Sequence, residues 1–302
     1  MKSVTLVDVS PRDGFQPIKP WISTEDKLEV IRGLVRAGFS RVEAGAFVSP
    51  RAVPQMKDAV DIWQEVRDHK DVRFSFLVPN AKGFELAVAA GVREVVYVVS
   101  VSEAHNQANV HRSVEDSLAE LSRMIELYGG SGVGLRVNLA TCFDCPFDGR
   151  VPEEAVYRAV ETILATGAQP EFGICDTTGR AMPDHVESLC RGLIERFGTE
   201  RAGWAFHGHD TYGLGVSNAL AAYRAGVHVF DVAAAGLGGC PFAPGATGNT
   251  AAEDIVFTFE NMGIDTGVEL SKLLAVADRA ASLEGACSGG HIRSLPRARI
   301  LA

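Results

Sequence analysis

The feature that most restricts the fold of this chain is a regular alternation. Short β-branched runs recur eight times, with segments of helical periodicity between them. The runs are VTLVDVS from Val4, RVEAGAF from Arg41, VRFSFLVP from Val72, REVVYVVSV from Arg93, VGLRVNLAT from Val133, PEFGICDT from Pro170, AGWAFHGHD from Ala202 and HVFDVAAA from His228. Two intervening segments carry helix punctuation. STEDKLEVIRGLVRAG opens on a Ser23 or Thr24 cap with acidic residues in the first turn and stops at Gly38. SVEDSLAELSRMIELYGG has Ser113 as cap, Asp116 three residues on, and Gly129 as stop. Strands alternating with helices imply an α/β protein whose parallel sheet is covered by helices. Eight such units in about 250 residues match a closed (β/α)₈ TIM barrel better than an open sheet. No Pro/Ser-rich linker interrupts the run, so one domain is expected over 1–302, with the barrel at about 4–262. A C-terminal helical extension follows at about 266–302: VELSKLLAVADRAASLEGA reads as an extra helix, and GGHIRSLPRARILA as a basic tail free to move.

Composition narrows the partners. With 46% hydrophobic and 22% charged residues over 302 positions, the chain suits a soluble globular protein with a large core. A net charge of −9 argues against nonspecific nucleic-acid binding, so an anionic substrate would need local positive charge. No apolar run is long enough to span a membrane, and the opening MKSVTLVDVS reads as a strand rather than a signal peptide. Six unevenly spaced cysteines look like reduced thiols of a cytoplasmic protein. The lone CxxC of Cys142 and Cys145 lacks a second pair and reads as structural loop sequence; Cys175, Cys190 and Cys287 read as incidental thiols.

One stretch is longer than a turn needs. GLGGCPFAPGATGN, from Gly236 to Asn249, holds five glycines and two prolines and cannot be a regular helix or central strand. It lacks the Lys-Ser/Thr of a P-loop and the spacing of a dinucleotide fingerprint, which leaves a lid or binding loop.

In a barrel of this kind the site lies at the C-terminal ends of the strands. The residues expected there are Arg12 and Asp13 after the first strand, Glu43 on the second, Asp176 ending the sixth, His207 and His209 on the seventh, and Asn249 closing the glycine loop. His207 and His209 are two apart, so both imidazoles face the same way. Two neutral imidazoles on one face suit a metal; a backbone-bonded histidine beside an exposed one is the competing reading. Strands seven, eight and one become neighbours on closure, which brings Asp13 and Asn249 within reach. A carboxylate, two imidazoles and an amide oxygen suit Mg²⁺ or Mn²⁺, with Zn²⁺ also compatible. Arg12 is either a rim ion pair with Glu43 or Asp176, or a cation aimed at a substrate oxygen. Asp176 is either a support for a ligand or for Arg12, or a cap for the following helix.

PRDGFQP after the first strand, FVSPRAVPQM, VPNAKGFELAVAAGVREV, FHGHDTYGLGVSNAL and AGLGGCPFAPGATGNTAAEDIVF together resemble the 3-hydroxy-3-methylglutaryl-CoA lyase family, one branch of the metal-dependent barrel lyases and acyl-CoA condensing enzymes. The resemblance runs from about Val4 to about Leu273, and the cysteine-bearing glycine loop is its most specific part. It implies metal ligation by Asp13, His207, His209 and Asn249. It implies carbonyl polarisation by Arg12, active-site roles for Glu43, Asp176 and the substrate-binding Gln16, and a catalytic Cys240 on the loop. It further implies an acyl-CoA substrate, retro-Claisen cleavage to acetyl-CoA and a keto acid, and a homodimer or larger assembly.

Two positions depart from the family pattern. Ala46 stands where a serine precedes the Phe of FVSP, and Gly173 where the sixth strand has Ser-Leu-Gly-Asp. Losing two hydroxyls is expected to leave more room and to change the polar tail accepted, which makes citramalyl-CoA or a larger 3-substituted glutaryl-CoA alternative substrates. A condensing acyltransferase and a noncatalytic barrel are the other readings. Arg12, Asp13, His207, His209, Cys240 and Asn249 occurring together argue against the last.

Overall fold

The computed structural model describes residues 2–239 and 248–301. Its strands are β1 (Thr5–Asp8), β2 (Arg41–Ala46), β3 (Arg73–Leu77), β4 (Glu94–Ser100), β5 (Gly134–Ala140), β6 (Glu171–Asp176), β7 (Gly203–Gly208) and β8 (Val229–Val232). They close into a parallel barrel in the order β1-β8-β7-β6-β5-β4-β3-β2. Each expected run contains one of these strands, and the residues that follow the strand within a run lead into the connections at the barrel mouth. Register brings Asp231 beside His207 and Asn138 beside Gly173.

The helices α1 (Thr24–Ala37), α2 (Ala59–Val66), α3 (Ala81–Ala90), α4 (Glu103–Val110), α5 (Val114–Tyr128), α6 (Glu153–Leu164), α7 (Pro183–Phe197), α8 (Gly215–Arg224) and α9 (Ala252–Asn261) lie between and after the strands. Local chemistry sets their ends. Ser23 caps α1 by accepting from Asp26 N at 3.1 Å, and Gly38 ends it at φ +107. A Cβ at Gly38 would sit 2.2 Å from Gly267 O, so the stop also requires a missing side chain. Leu28, Ile31 and Leu34 form the buried stripe of α1. Ser113 likewise caps α5 through Asp116 N at 2.9 Å, with Gly129 at its end.

The added helix is α10 (Leu270–Ala281); it packs on α1, with Val276 over Gly33. The tail beyond it is tied down rather than loose, because Asp254 of α9 accepts from His291 N and Ile292 N at 2.8–3.0 Å. A short turn of helix, α11 (Arg297–Ile300), ends it. Two features were not evident from the alternation. One is α4, capped by Ser102; the other is a small hairpin pairing 144–145 with 149–150, which accounts for the Cys142/Cys145 spacing. Both of those thiols are buried. Among the described residues no helix is long and apolar enough to cross a membrane.

Candidate active site

The first strand ends in a widened turn. Asp13 N bonds Val9 O at 2.8 Å, Gly14 N bonds the same carbonyl at 3.2 Å, and Phe15 N bonds Ser10 O at 2.9 Å. Such i→i+5 turns are uncommon and concentrate at functional sites. Asp8 fixes the turn to the end of β8, accepting from Ser10 N at 2.9 Å and from Ala234 N at 3.0 Å. Burial lifts the Asp8 carboxyl to about 7. The turn carries Arg12 and Asp13 to the mouth.

Arg12 is 6% exposed and forks onto Glu43, Nε to Oε1 at 2.8 Å and Nη2 to Oε2 at 2.9 Å, while Nη1 donates to Asp13 Oδ1 at 2.5 Å. The rim ion pair expected of Arg12 therefore forms with Glu43, not with Asp176. A guanidinium has about five N–H donors, so donors remain for a further acceptor.

Asp13, His207 and His209 offer ligand atoms that all lie within 4.8 Å of one another. The imidazole centroids are 5.2 Å apart, and His209 Nε2 lies 3.9 Å from Asp13 Oδ2. Burial favours the neutral Asp13 carboxyl, but the charge of Arg12 and the hydrogen bond from Asn249 Nδ2 outweigh it and hold it well below the usual carboxylate range. Burial pushes the His209 imidazole down to about 4, so it is neutral as a metal ligand must be. Asn249 pairs with His209 through the backbone, and its side chain donates from Nδ2 to Asp13 Oδ2 at 2.8 Å and to Leu237 O at 2.9 Å. Its Oδ1 and His209 Nδ1 are buried without a hydrogen-bond partner among the described residues. Buried polar atoms are rarely left so. An ionised carboxylate, two imidazoles and an orphaned amide oxygen fit a hard or borderline divalent cation.

Asp176 sits at the end of β6, where Oδ2 accepts from Ala181 N at 3.2 Å and braces the loop leading into α7. It does not cap α7, whose N-terminal flank is Met182, and it is bonded to neither Arg12 nor a histidine side chain. Burial raises its carboxyl to about 7 despite three backbone donors, and Oδ1 has no partner among the described residues. Gln16 follows the turn and is exposed at the rim. Cys240 lies outside the described residues.

The expected extra room at Gly173 is not there. A Cβ at that position would fall 2.1 Å from Asn138 Oδ1 and 2.9 Å from Arg136 Nη2, because those side chains occupy the space. Ala46 is 2% exposed.

Three buried residues at the site escaped the sequence reading. Asp231 of β8 places Oδ2 3.0 Å from His207 Nδ1 and accepts there from Arg136 Nη2 at 2.7 Å. Burial works to raise the Asp231 carboxyl, yet Arg136 and His207 bring it below the ordinary range. Asn138 accepts from Arg136 Nε at 2.8 Å. The available signal was a charged residue inside an otherwise apolar strand, since a buried charge requires a partner. A cleft of about 730 Å³ lined by Arg41, Arg73 and Glu94 opens at the opposite end of the barrel, away from this cluster.

Fold and site define a (β/α)₈ barrel with a cluster of oxygen and nitrogen donors at its C-terminal mouth whose geometry suits a divalent metal. The family model described as HMGL-like matches residues 3–279. The hydroxymethylglutaryl-CoA lyase YngG of Bacillus subtilis is 41% identical, over 91% of this chain and 91% of its own. The (R)-citramalyl-CoA lyase of Chloroflexus aurantiacus is also 41% identical, over 92% and 90%. A structure of an HMG-CoA lyase from Acinetobacter baumannii with coenzyme A and 3-methylmalate superposes with a TM-score of 0.91 at 37% identity, covering 98% of this chain and 95% of that one. The chain belongs to the HMGL-like family, that of the hydroxymethylglutaryl-CoA lyases, and is a carbon–carbon lyase.

Proposed function

We propose that the enzyme cleaves a 3-hydroxyacyl-CoA, 3-hydroxy-3-methylglutaryl-CoA or a close analogue, to acetyl-CoA and a keto acid. The observation that carries this reading is the convergence of Arg12 with the Asp13, His207 and His209 cluster at one mouth of the barrel. The chain acts as a single catalytic domain, and we place it in the cytoplasm as a homodimer or larger oligomer.

Asp13, His207, His209 and Asn249 would hold Mg²⁺ or Mn²⁺, Zn²⁺ being the other candidate. When bound, such an ion supplies Lewis acidity that eases ionisation of a substrate hydroxyl. The remaining work falls to the side chains. A carboxylate takes the C3 hydroxyl proton. Asp13 is committed to Arg12 and Asn249, which makes Asp176, with an unbonded Oδ1, the alternative acceptor. The O–H electrons form the new C=O of the keto acid, and the C2–C3 bond breaks. Its electron pair passes through C2 to the thioester oxygen. Arg12 meets that oxygen with its remaining N–H donors, in a buried setting where charge stabilisation is strongest. Glu43 holds the guanidinium plane in place. Cys240, carried on the glycine loop, returns a proton to C2 and completes acetyl-CoA. Gln16 at the rim contacts the incoming substrate.

A second reading, citramalyl-CoA as substrate, is favoured by the equal identity to the Chloroflexus aurantiacus enzyme and by the missing hydroxyl at Ala46. Acetyl-CoA release from each thioester with Mg²⁺ or Mn²⁺ decides between them. Metal-dependent turnover of 3-hydroxy-3-methylglutaryl-CoA, lost in Cys240→Ala, supports the first reading. Turnover of citramalyl-CoA alone supports the second. Silence on both refutes both.

A further inference from the structure

The HxH pair needs one ring nitrogen of each histidine turned toward the cluster, and nothing in the pair itself decides which. For His207 the decision comes from outside. Its Nδ1 lies 3.0 Å from Asp231 Oδ2. An ionised carboxylate only accepts hydrogen bonds, so Nδ1 must carry the proton and Nε2 keeps the lone pair. Asp231 is itself immobilised. Arg136 donates Nη2 to it at 2.7 Å, donates Nε to Asn138 at 2.8 Å, and holds Nη1 3.3 Å from Glu171 Oε1. All three guanidinium nitrogens are thus engaged, and Arg136 is 3% exposed. This seat takes up the space that a side chain at position 173 would need. A Cβ there would collide with both Asn138 Oδ1 and Arg136 Nη2.

We propose that Asp231 is the positioning residue that sets the tautomer and direction of His207, and that Arg136, Asn138 and Gly173 form the seat that holds it. The loss of the family's serine at position 173 then reflects internal support for the metal site rather than a larger substrate pocket. This inference rests on the reading of His207 as a metal ligand.

The test uses the full chain. Imidazole ¹⁵N shifts of ¹⁵N-histidine-labelled, metal-free wild type report the tautomer directly. Nδ1–H at His207 is expected, and Nε2–H would overturn the proposal without any variant. Mn²⁺ affinity is then measured by titration for wild type, Asp231→Asn and Gly173→Ser. An ordered outer partner of a metal ligand is typically worth about 10- to 100-fold in affinity. Weakening of that size is expected in Asp231→Asn, and about 10-fold in Gly173→Ser. Wild-type binding with undiminished affinity in Asp231→Asn would overturn the positioning role while leaving the metal reading intact. No Mn²⁺ binding by wild type would refute the metal reading instead. Gly173→Ser with unchanged Mn²⁺ affinity and an altered KM alone would return that position to substrate specificity.

Discussion

Glu43→Gln is the change whose effect follows most directly from the geometry. Glu43 and Arg12 are both buried and joined by two charge-assisted bonds of 2.8 and 2.9 Å. Glutamine keeps one acceptor and turns an NH₂ toward the second guanidinium nitrogen, so one bond is lost and two donors face each other. A hydrogen bond to a charged group is worth about 1.5–3 kcal/mol. The opposing term is Asp13, which stays paired to Arg12 Nη1 at 2.5 Å and keeps the cation from being stranded. The loss should therefore stay nearer that range than the roughly 3–5 kcal/mol of a fully broken buried pair. Falling on the orientation of Arg12 in the transition state, it corresponds to a drop in kcat of about 10- to 150-fold. Steady-state acetyl-CoA release gives kcat and KM, and Mn²⁺ titration of the same variant should show unchanged affinity. Glu43→Gln with wild-type kcat would refute the view that this fork orients Arg12.

Other consequences can be checked separately. Adding Mn²⁺ to about 100 times its Kd should stabilise the metal-stripped protein by about 2.7 kcal/mol, read as a rise in Tm that His207→Ala abolishes. Burial pushes the His105 imidazole from 6.5 to about 4, so its contribution is complete above the unfolded value and is lost as pH falls through this window. Between about pH 7 and pH 5, denaturant-measured stability of wild type should fall by roughly 2 kcal/mol more than that of His105→Gln; equal slopes would contradict it. Gly38→Ala places a Cβ against Gly267 O at a positive φ and should cost at least about 2 kcal/mol by denaturant unfolding, with no direct effect on Mn²⁺ affinity.

Much of this molecule is written locally. The alternating runs define the barrel because strand and helix periodicities are properties of neighbouring residues, and the caps at Ser23, Gly38 and Ser113 are equally short-range. The cluster was legible because strands seven, eight and one must meet on closure, which brings Asp13 and Asn249 to the HxH pair. The support behind it was not. Arg136 and Asp231 are 95 residues apart, and each looks like one charge in an apolar run until the barrel sets them facing. The filled space at Gly173 was hidden for the same reason: a glycine in sequence shows an absent side chain, not which neighbour has taken its place. The bracing of Asp176 on Ala181 N and the anchoring of the tail on Asp254 likewise depend on loop paths that periodicity does not encode.

The most direct test is a joint titration. Metal-stripped enzyme is loaded with increasing Mn²⁺, bound metal is counted per chain, and acetyl-CoA release is measured on the same samples. Cleavage by the Asp13, His207 and His209 centre requires turnover to rise in proportion to occupancy and to saturate at one ion per chain, with neither seen in His207→Ala. Full turnover in metal-stripped enzyme, or saturation of the ion without any cleavage of either thioester, would contradict it.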